Sequence, residues 1–140
     1  MRFTRVTSQS AKTITEHFES IAEQNRANGA DDLNVKMLLD FADIVSRFEN
    51  CESGSKQVFA KITDLNVTLL AKDDEKSAAL AHLSPDMSPS GACLVHVWYP
   101  MALSEAPWEN AIVSGNARDT EEALQMVAMA LKRSANSPDE

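Results

Sequence analysis

The stretch that decides the fold is Cys93-Leu94-Val95-His96-Val97-Trp98-Tyr99, together with the chain from there to Arg133. Successive side chains of a strand point to opposite faces. Cys93, Val95, Val97 and Tyr99 therefore share one apolar face suited to a core. Leu94, His96 and Trp98 share the other, whose mixed character fits a surface, a groove or a second layer. A second short strand is read over Asn110 to Gly115, centred on Ile112 and Val113, with Gly115-Asn116 as a turn. Asp119-Thr-Glu-Glu122 has an acceptor at the N-cap and a glutamate three residues on, the capping-box pattern. Behind it Leu124, Val127, Ala128 and Leu131 recur at helical spacing. Glu121 and Glu122 fall in the first turn and Lys132 and Arg133 in the last, both favourable to the helix dipole.

Upstream, Arg2 to Thr7 reads as a short strand with poor alternation, the third strand that a lone hairpin needs for stability. Ser8 or Ser10 is positioned to cap a first helix with the stripe Ala11, Ile14, Phe18, Ile21 and Ala22, ending near Gly29. Asp31 or Asp32 caps a second, in which Leu33, Val35, Leu38, Leu39, Phe41, Ala42, Ile44, Val45 and Phe48 cover more than half the circumference. Such a helix is normally sandwiched between other elements. The short connection at Gly29–Asp32 makes the two helices antiparallel neighbours. Beyond the loop at Asn50–Ser55, Val58, Ile62, Leu65 and Leu69 step at helical spacing, and a helix is preferred there. Strands over Gln57–Ile62 and Asn66–Ala71 are the alternative. Lys72–Lys76 is a charged break, and Ala78 to Leu83 completes a helical segment. Ser84 to Gly91, with two prolines, three serines and a glycine, is a linker. Ser134 to Glu140 is expected to be a disordered tail.

These readings define an α+β fold: N-terminal antiparallel helices packed with a small antiparallel sheet and a C-terminal helix. One domain is expected over residues 1–133, with a helical half (8–83), a linker (84–91) and a strand–strand–helix half (92–133). A chain of 140 residues, 44% hydrophobic, suits a single core. No apolar run approaches the roughly 20 residues that span a bilayer, and Met1-Arg-Phe-Thr-Arg-Val6 lacks the apolar region of a signal peptide. Cys51 and Cys93 are too few for a disulfide framework. A cytoplasmic location is the expectation.

The net charge is −8, with residues 1–30 carrying +1, residues 31–90 carrying −5 and residues 91–140 carrying −4. No segment has the clustered Lys and Arg that phosphate neutralisation requires, so double-stranded nucleic acid is not expected as a partner. Acidity is compatible with a basic partner or with solubility alone.

Few patterns carry chemistry. Cys93 and His96 lie three apart, which on a strand puts them on opposite faces, with His82 and His17 in other elements, so no metal site is expected. Cys93 and Ser114 lack a nucleophile–base signature. Four glycines form no phosphate-binding loop, and no cofactor is expected. Asp40/Asp43 and Asp73/Asp74 read as solvated carboxylate pairs. The oddest feature is the inter-strand loop Pro100-Met-Ala-Leu-Ser-Glu-Ala-Pro-Trp-Glu109, longer than the usual hairpin connection. Met101, Leu103 and Trp108, with Trp98 and Tyr99 at the base, form either a contact site or a cover for the protein's own core.

The passage Ile112-Val-Ser-Gly-Asn-Ala-Arg-Asp-Thr-Glu-Glu-Ala-Leu124 resembles the strand-to-helix passage of HicB-type antitoxins. It is also similar to the close of small phage-encoded α/β sandwich domains. The resemblance spans about 25 residues, and no functional residue is carried over by it. It points the same way as the eliminations: a small non-enzymatic protein acting by protein–protein binding, to another protein or to a second copy of itself, as an inhibitor, immunity or antitoxin-like factor. The alternatives are a small regulator contacting nucleic acid, or an enzyme of unfamiliar type using His96.

Overall fold

A computed structural model describes residues 1–51, 57–85, 95–103 and 106–137, with the side chains of 103–110 left aside. Nine elements follow one another: β1 (Arg2–Arg5), α1 (Ile14–Ala27), α2 (Asp32–Glu49), β2 (Gln57–Thr63), β3 (Asn66–Leu70), β4 (Ala79–Pro85), β5 (Val95–Leu103), β6 (Ala106–Ala117) and α3 (Thr120–Arg133). The architecture is α+β. All six strands form one sheet in the order β1-β2-β3-β4-β5-β6. β1 pairs parallel to β2, and every later pair is antiparallel.

The sheet is thus larger than expected, and mixed. Its growth comes from two segments that read as helical in the sequence. Residues 57–71 form β2 and β3, not a helix. A four-residue step satisfies a period of two as well as one of 3.6, so Val58 and Ile62 fit either reading. Ala60 decides it: Val58, Ala60 and Ile62 are buried in alternation with Gln57, Phe59 and Lys61, and the Val, Ile and Thr of the segment favour the pleat. Asp64 opens the two-residue turn between them at φ 54°, a left-handed conformation that Asp tolerates better than most residues. The segment from Ala78 to Leu83, expected to be helical, is β4 instead. Three strands are therefore complete by Leu70 and a fourth begins at Ala79, and the division into a helical half and a strand half does not hold. Ser84 and Pro85 of the expected linker belong to β4; residues 86–91 lie outside the described ones, as does Cys93.

The helices explain themselves. Thr13, not Ser8 or Ser10, caps α1: its Oγ1 accepts from the Glu16 N–H and Glu16 Oε1 accepts from the Thr13 N–H, a full capping box. Ala11 consequently stands outside the helix and is exposed. Gly29, at φ 85°, ends the connection as a residue without Cβ can. Asp31 caps α2 through the Asn34 N–H. Glu49 at the end of α2 accepts from the N–H groups of Ile14 and Thr15 at the start of α1. At the other end Asn25 Nδ2 donates to Asn34 Oδ1. The two helices therefore run antiparallel.

One hydrophobic cluster draws on all nine elements, from Phe3 through Phe18, Phe41, Phe48, Ile62, Leu83 and Val97 to Val127. Phe3 of β1 stacks on Phe48 of α2 with centroids 4.4 Å apart, and Phe18 meets Phe41 edge-on at 4.7 Å between the helices.

β6 runs from Ala106 to Ala117, so Gly115-Asn116 lies within the strand and the turn into α3 is Arg118-Asp119. Gly115 leaves room for the Met126 side chain of α3: a Cβ there would lie 2.8 Å from Met126 Cε. Asp119 caps α3, with Oδ1 accepting from the Glu122 N–H at 2.8 Å. The Glu122 side chain reaches back to the Arg118 N–H. Asp119→Ala should cost about 1 kcal/mol, the usual value of an N-cap. A thermal melt checks it, and an unchanged midpoint would show that the cap contributes nothing here.

The tail is partly held. Ser134 is buried, the Ala135 N–H donates to the Pro100 carbonyl, and Asn136 Nδ2 donates to the Ala79 carbonyl. Disorder is therefore not general from residue 134, as the polar composition leads one to expect. These bonds pin 134–136 beside β5 and the start of β4.

Candidate functional site

The covered face of the sheet carries Val58, Ala60, Ile62, Val67, Leu69, Ala81, Leu83, Val97 and Tyr99. The register puts the intervening residues on the opposite, outer face: Thr68 pairs with His82, His82 with Trp98, and Trp98 with Ser114. His82 and Trp98 stack nearly parallel, with centroids 5.0 Å apart and planes 9° apart. His96, two residues along β5, tilts against Trp98 at 5.2 Å. The result is a His–Trp–His ladder across β4 and β5. This is the mixed even face of the sequence reading.

Hydrogen bonds fix both imidazoles. Thr68 Oγ1 and Asn66 Nδ2 lie 3.2 Å and 3.4 Å from His82 Nδ1. If the amide donates, Nδ1 is the acceptor and the proton sits on Nε2. His96 Nδ1 faces Asn116 Oδ1 at 2.5 Å. Its partner is an amide, not the carboxylate that would orient a general base. Ser84, His96, Trp98, Ile112 and Ser114 line a shallow depression of about 290 Å³.

A cleft of about 500 Å³ lies elsewhere, between β1, the 10–13 segment and the adjoining ends of α1 and α2. Its polar groups serve the fold. Arg5 donates to Gln9 and to the Lys12 carbonyl, Arg2 to the Glu49 carbonyl, and the Glu49 carboxylate occupies the N-terminus of α1 where an anion would otherwise sit.

Of the residues singled out in the sequence, Trp98 is half-buried on the outer face. Tyr99, 5% exposed, belongs to the core, and Met101 packs partly buried against it. Leu103 ends β5 and Trp108 lies in β6; their side chains are outside the described ones. The loop expected over 100–109 is instead a continuation of both strands, Leu103 pairing with Ala106 around residues 104–105. Alternating strand geometry thus sends Trp98 to one face and Tyr99 and Met101 to the other. The pairing of His82 with Trp98 escapes the sequence reading because β4 reads as helix there; a strand would place His82 beside the even face.

Among the described residues no three His, Cys, Asp or Glu side chains converge as metal ligands, and no helix is long and apolar enough to cross a membrane. No family model matches the chain, and no curated protein or solved structure shows significant similarity to it.

Burial lowers the pKa of His82, with Lys61 adding to the effect. Burial also lowers that of His17, helped by Arg5 and Lys12 and opposed by a bond to the Asp64 backbone. The unfolded chain then binds protons more readily than the fold. Stability from this source is complete above the unfolded imidazole value of about 6.5 and falls as pH drops below it. Melting midpoints at successively lower pH should decline from neutrality downward, with a smaller decline in His82→Gln. An identical decline in that variant would remove His82 from the account.

Proposed function

We infer that the chain works by binding another protein, without catalysis, through the arm formed by the ends of β5 and β6. The observation that carries this reading is the reach of that hairpin. β4 pairs with β5 only over Val95–Trp98, yet β5 and β6 continue together to Leu103 and Ala106. Beyond Trp98 no other strand among the described residues pairs with the two, and Ala135 braces them at Pro100. In this reading Leu103 and Trp108 make the contact, with Met101 and Trp98 at the base of the arm and Tyr99 anchoring it in the core. Aromatic anchors of this kind dominate binding energetics, and a ribbon held by strand pairing loses little entropy on docking. The chain's net charge of −8 favours a partner with an apolar face and a basic rim.

The test is Trp108→Ala alongside Leu103→Ala. A basic protein retained by the wild-type chain should be lost on both variants, while the melting midpoint of Trp108→Ala stays near the wild-type value. A core plug would instead cost roughly 3–5 kcal/mol. A large fall in midpoint with capture unchanged would make the arm structural and refute the reading.

A further inference from the structure

The outer edge of the sheet is β6, twelve residues long and paired, among the described residues, with β5 alone. Edge strands are normally guarded against pairing by charge, proline or a bulge. From Asn110 to Ala117, β6 carries no charged residue and no proline, and Ile112 is 67% exposed.

α3 runs back over the covered face of β4, β5 and β6, beside this edge. It leaves β6 after Arg118-Asp119, crosses Gly115 at Met126, and delivers Ala135 to Pro100, the register partner of Ile112. On its β6 side, Glu122, Met126, Met129 and Arg133 succeed one another at steps of four, three and four, and so share one stripe. Met126 and Met129 line an apolar cavity of about 160 Å³ with Val97, Tyr99, Val113 and Gly115. Met129 is 48% exposed.

We propose that β6 and the flanking stripe of α3 form a self-association surface whose occupant is a second copy of this chain, joined β6 to β6 antiparallel about a twofold axis near Ser114. A twofold axis perpendicular to the sheet makes both the edge strands and the α3 helices of the two copies antiparallel. The stripe is complementary to itself in that arrangement. Centring the axis between Met126 and Met129 sets each methionine against the other type across the axis, and in the same register Glu122 meets Arg133 of the other copy. The two methionines adapt to irregular apolar contacts, and the two ion pairs offset part of the repulsion between two acidic molecules. Strand pairing satisfies the backbone groups of β6 and joins two six-stranded sheets into one. This proposal does not rest on the arm, whose Leu103→Ala and Trp108→Ala variants should dimerise as the wild type does.

Sedimentation of the full chain over roughly 1–200 µM, the range of a micromolar Kd, reads it directly. The wild-type chain should show a reversible monomer–dimer equilibrium, and Met129→Lys should weaken it about tenfold or more without lowering the melting midpoint. Glu122→Lys and Arg133→Glu should each weaken self-association. An equimolar mixture of those two should regain a dimer, because each copy then presents the charge the other lacks. A chain monomeric throughout the range, or a mixture that associates no better than either variant alone, would overturn the proposal.

Discussion

Phe48→Ala should lower stability by about 4 kcal/mol, the usual cost of removing a large aromatic side chain from a closed core. Phe48 is 1% exposed and lies flat against Phe3. The pair joins the last turn of α2 to β1, and α2 otherwise meets the sheet mainly through β4. Deleting the ring leaves a cavity that neither a strand nor a capped helix end can collapse to fill. With an unfolding entropy of about 2.1 cal/mol/K per residue, that cost corresponds to a fall in melting midpoint of roughly 14 °C. Phe48→Leu, which retains most of the apolar volume, should lose much less. Equal losses in the two variants would mean that ring stacking, and not cavity volume, dominates.

Glu49→Ala, one residue on, should cost about 2 kcal/mol by a different route. The first N–H groups of a helix have no partner within it. In α1 each is accounted for. Glu16 N–H reaches Thr13 Oγ1, and His17 N–H reaches the Thr13 carbonyl. Ile14 and Thr15 N–H both reach the Glu49 carboxylate at 2.9 Å, which also receives the Thr15 hydroxyl. A carboxylate at that position gains from the helix dipole as well. The alanine variant leaves two part-buried donors dependent on water. Glu49→Gln keeps one acceptor and should recover about half of the loss. Circular dichroism melts of the three proteins give the comparison. A Glu49→Ala chain that melts with the wild type would show that water replaces the carboxylate at no cost.

These two residues also show what a linear pattern records and what it omits. Phe48 belongs to an apolar stripe too wide for a surface helix, and its place in the core follows from the stripe alone. Glu49 looks like any charged residue at a helix end, because its partners lie 34 and 35 positions away and no local pattern records them. The same contrast runs through the fold. α2 and α3 are legible because a cap and a period of 3.6 agree over many turns. β2 is not, because Val58 and Ile62 satisfy both periods, and Leu65, which continues the helical spacing, sits in the turn that Asp64 opens. β4 is short and rich in alanine, a composition that favours helix until β3 and β5 flank it. For the candidate surface, the even face of β5 is visible from His96 and Trp98, but its neighbours His82, Thr68 and Asn116 depend on strand register. The arm reads as a loop because Pro100 and Pro107 interrupt the alternation; Pro100 nevertheless pairs with Ile112, and Pro107 falls where the register slips between the pairs Ala102–Asn110 and Leu103–Ala106.

The sheet closes in an unusual order along the chain. β2 to β5 each pair with the next strand along the chain, so each hairpin can form on a scale of microseconds. β1 is different: Arg2 meets Gln57, and the intervening chain contains two whole helices. Closing so long a loop carries an entropic cost that the hairpins avoid, reduced by the prior pairing of α1 with α2. β1 should therefore be the last strand to join during folding and the first to leave in partial opening. Amide exchange would reveal this sequence of events: the Val6 N–H, bonded to the Ala60 carbonyl at 2.8 Å, should exchange well before the amides of β3 at the middle of the sheet.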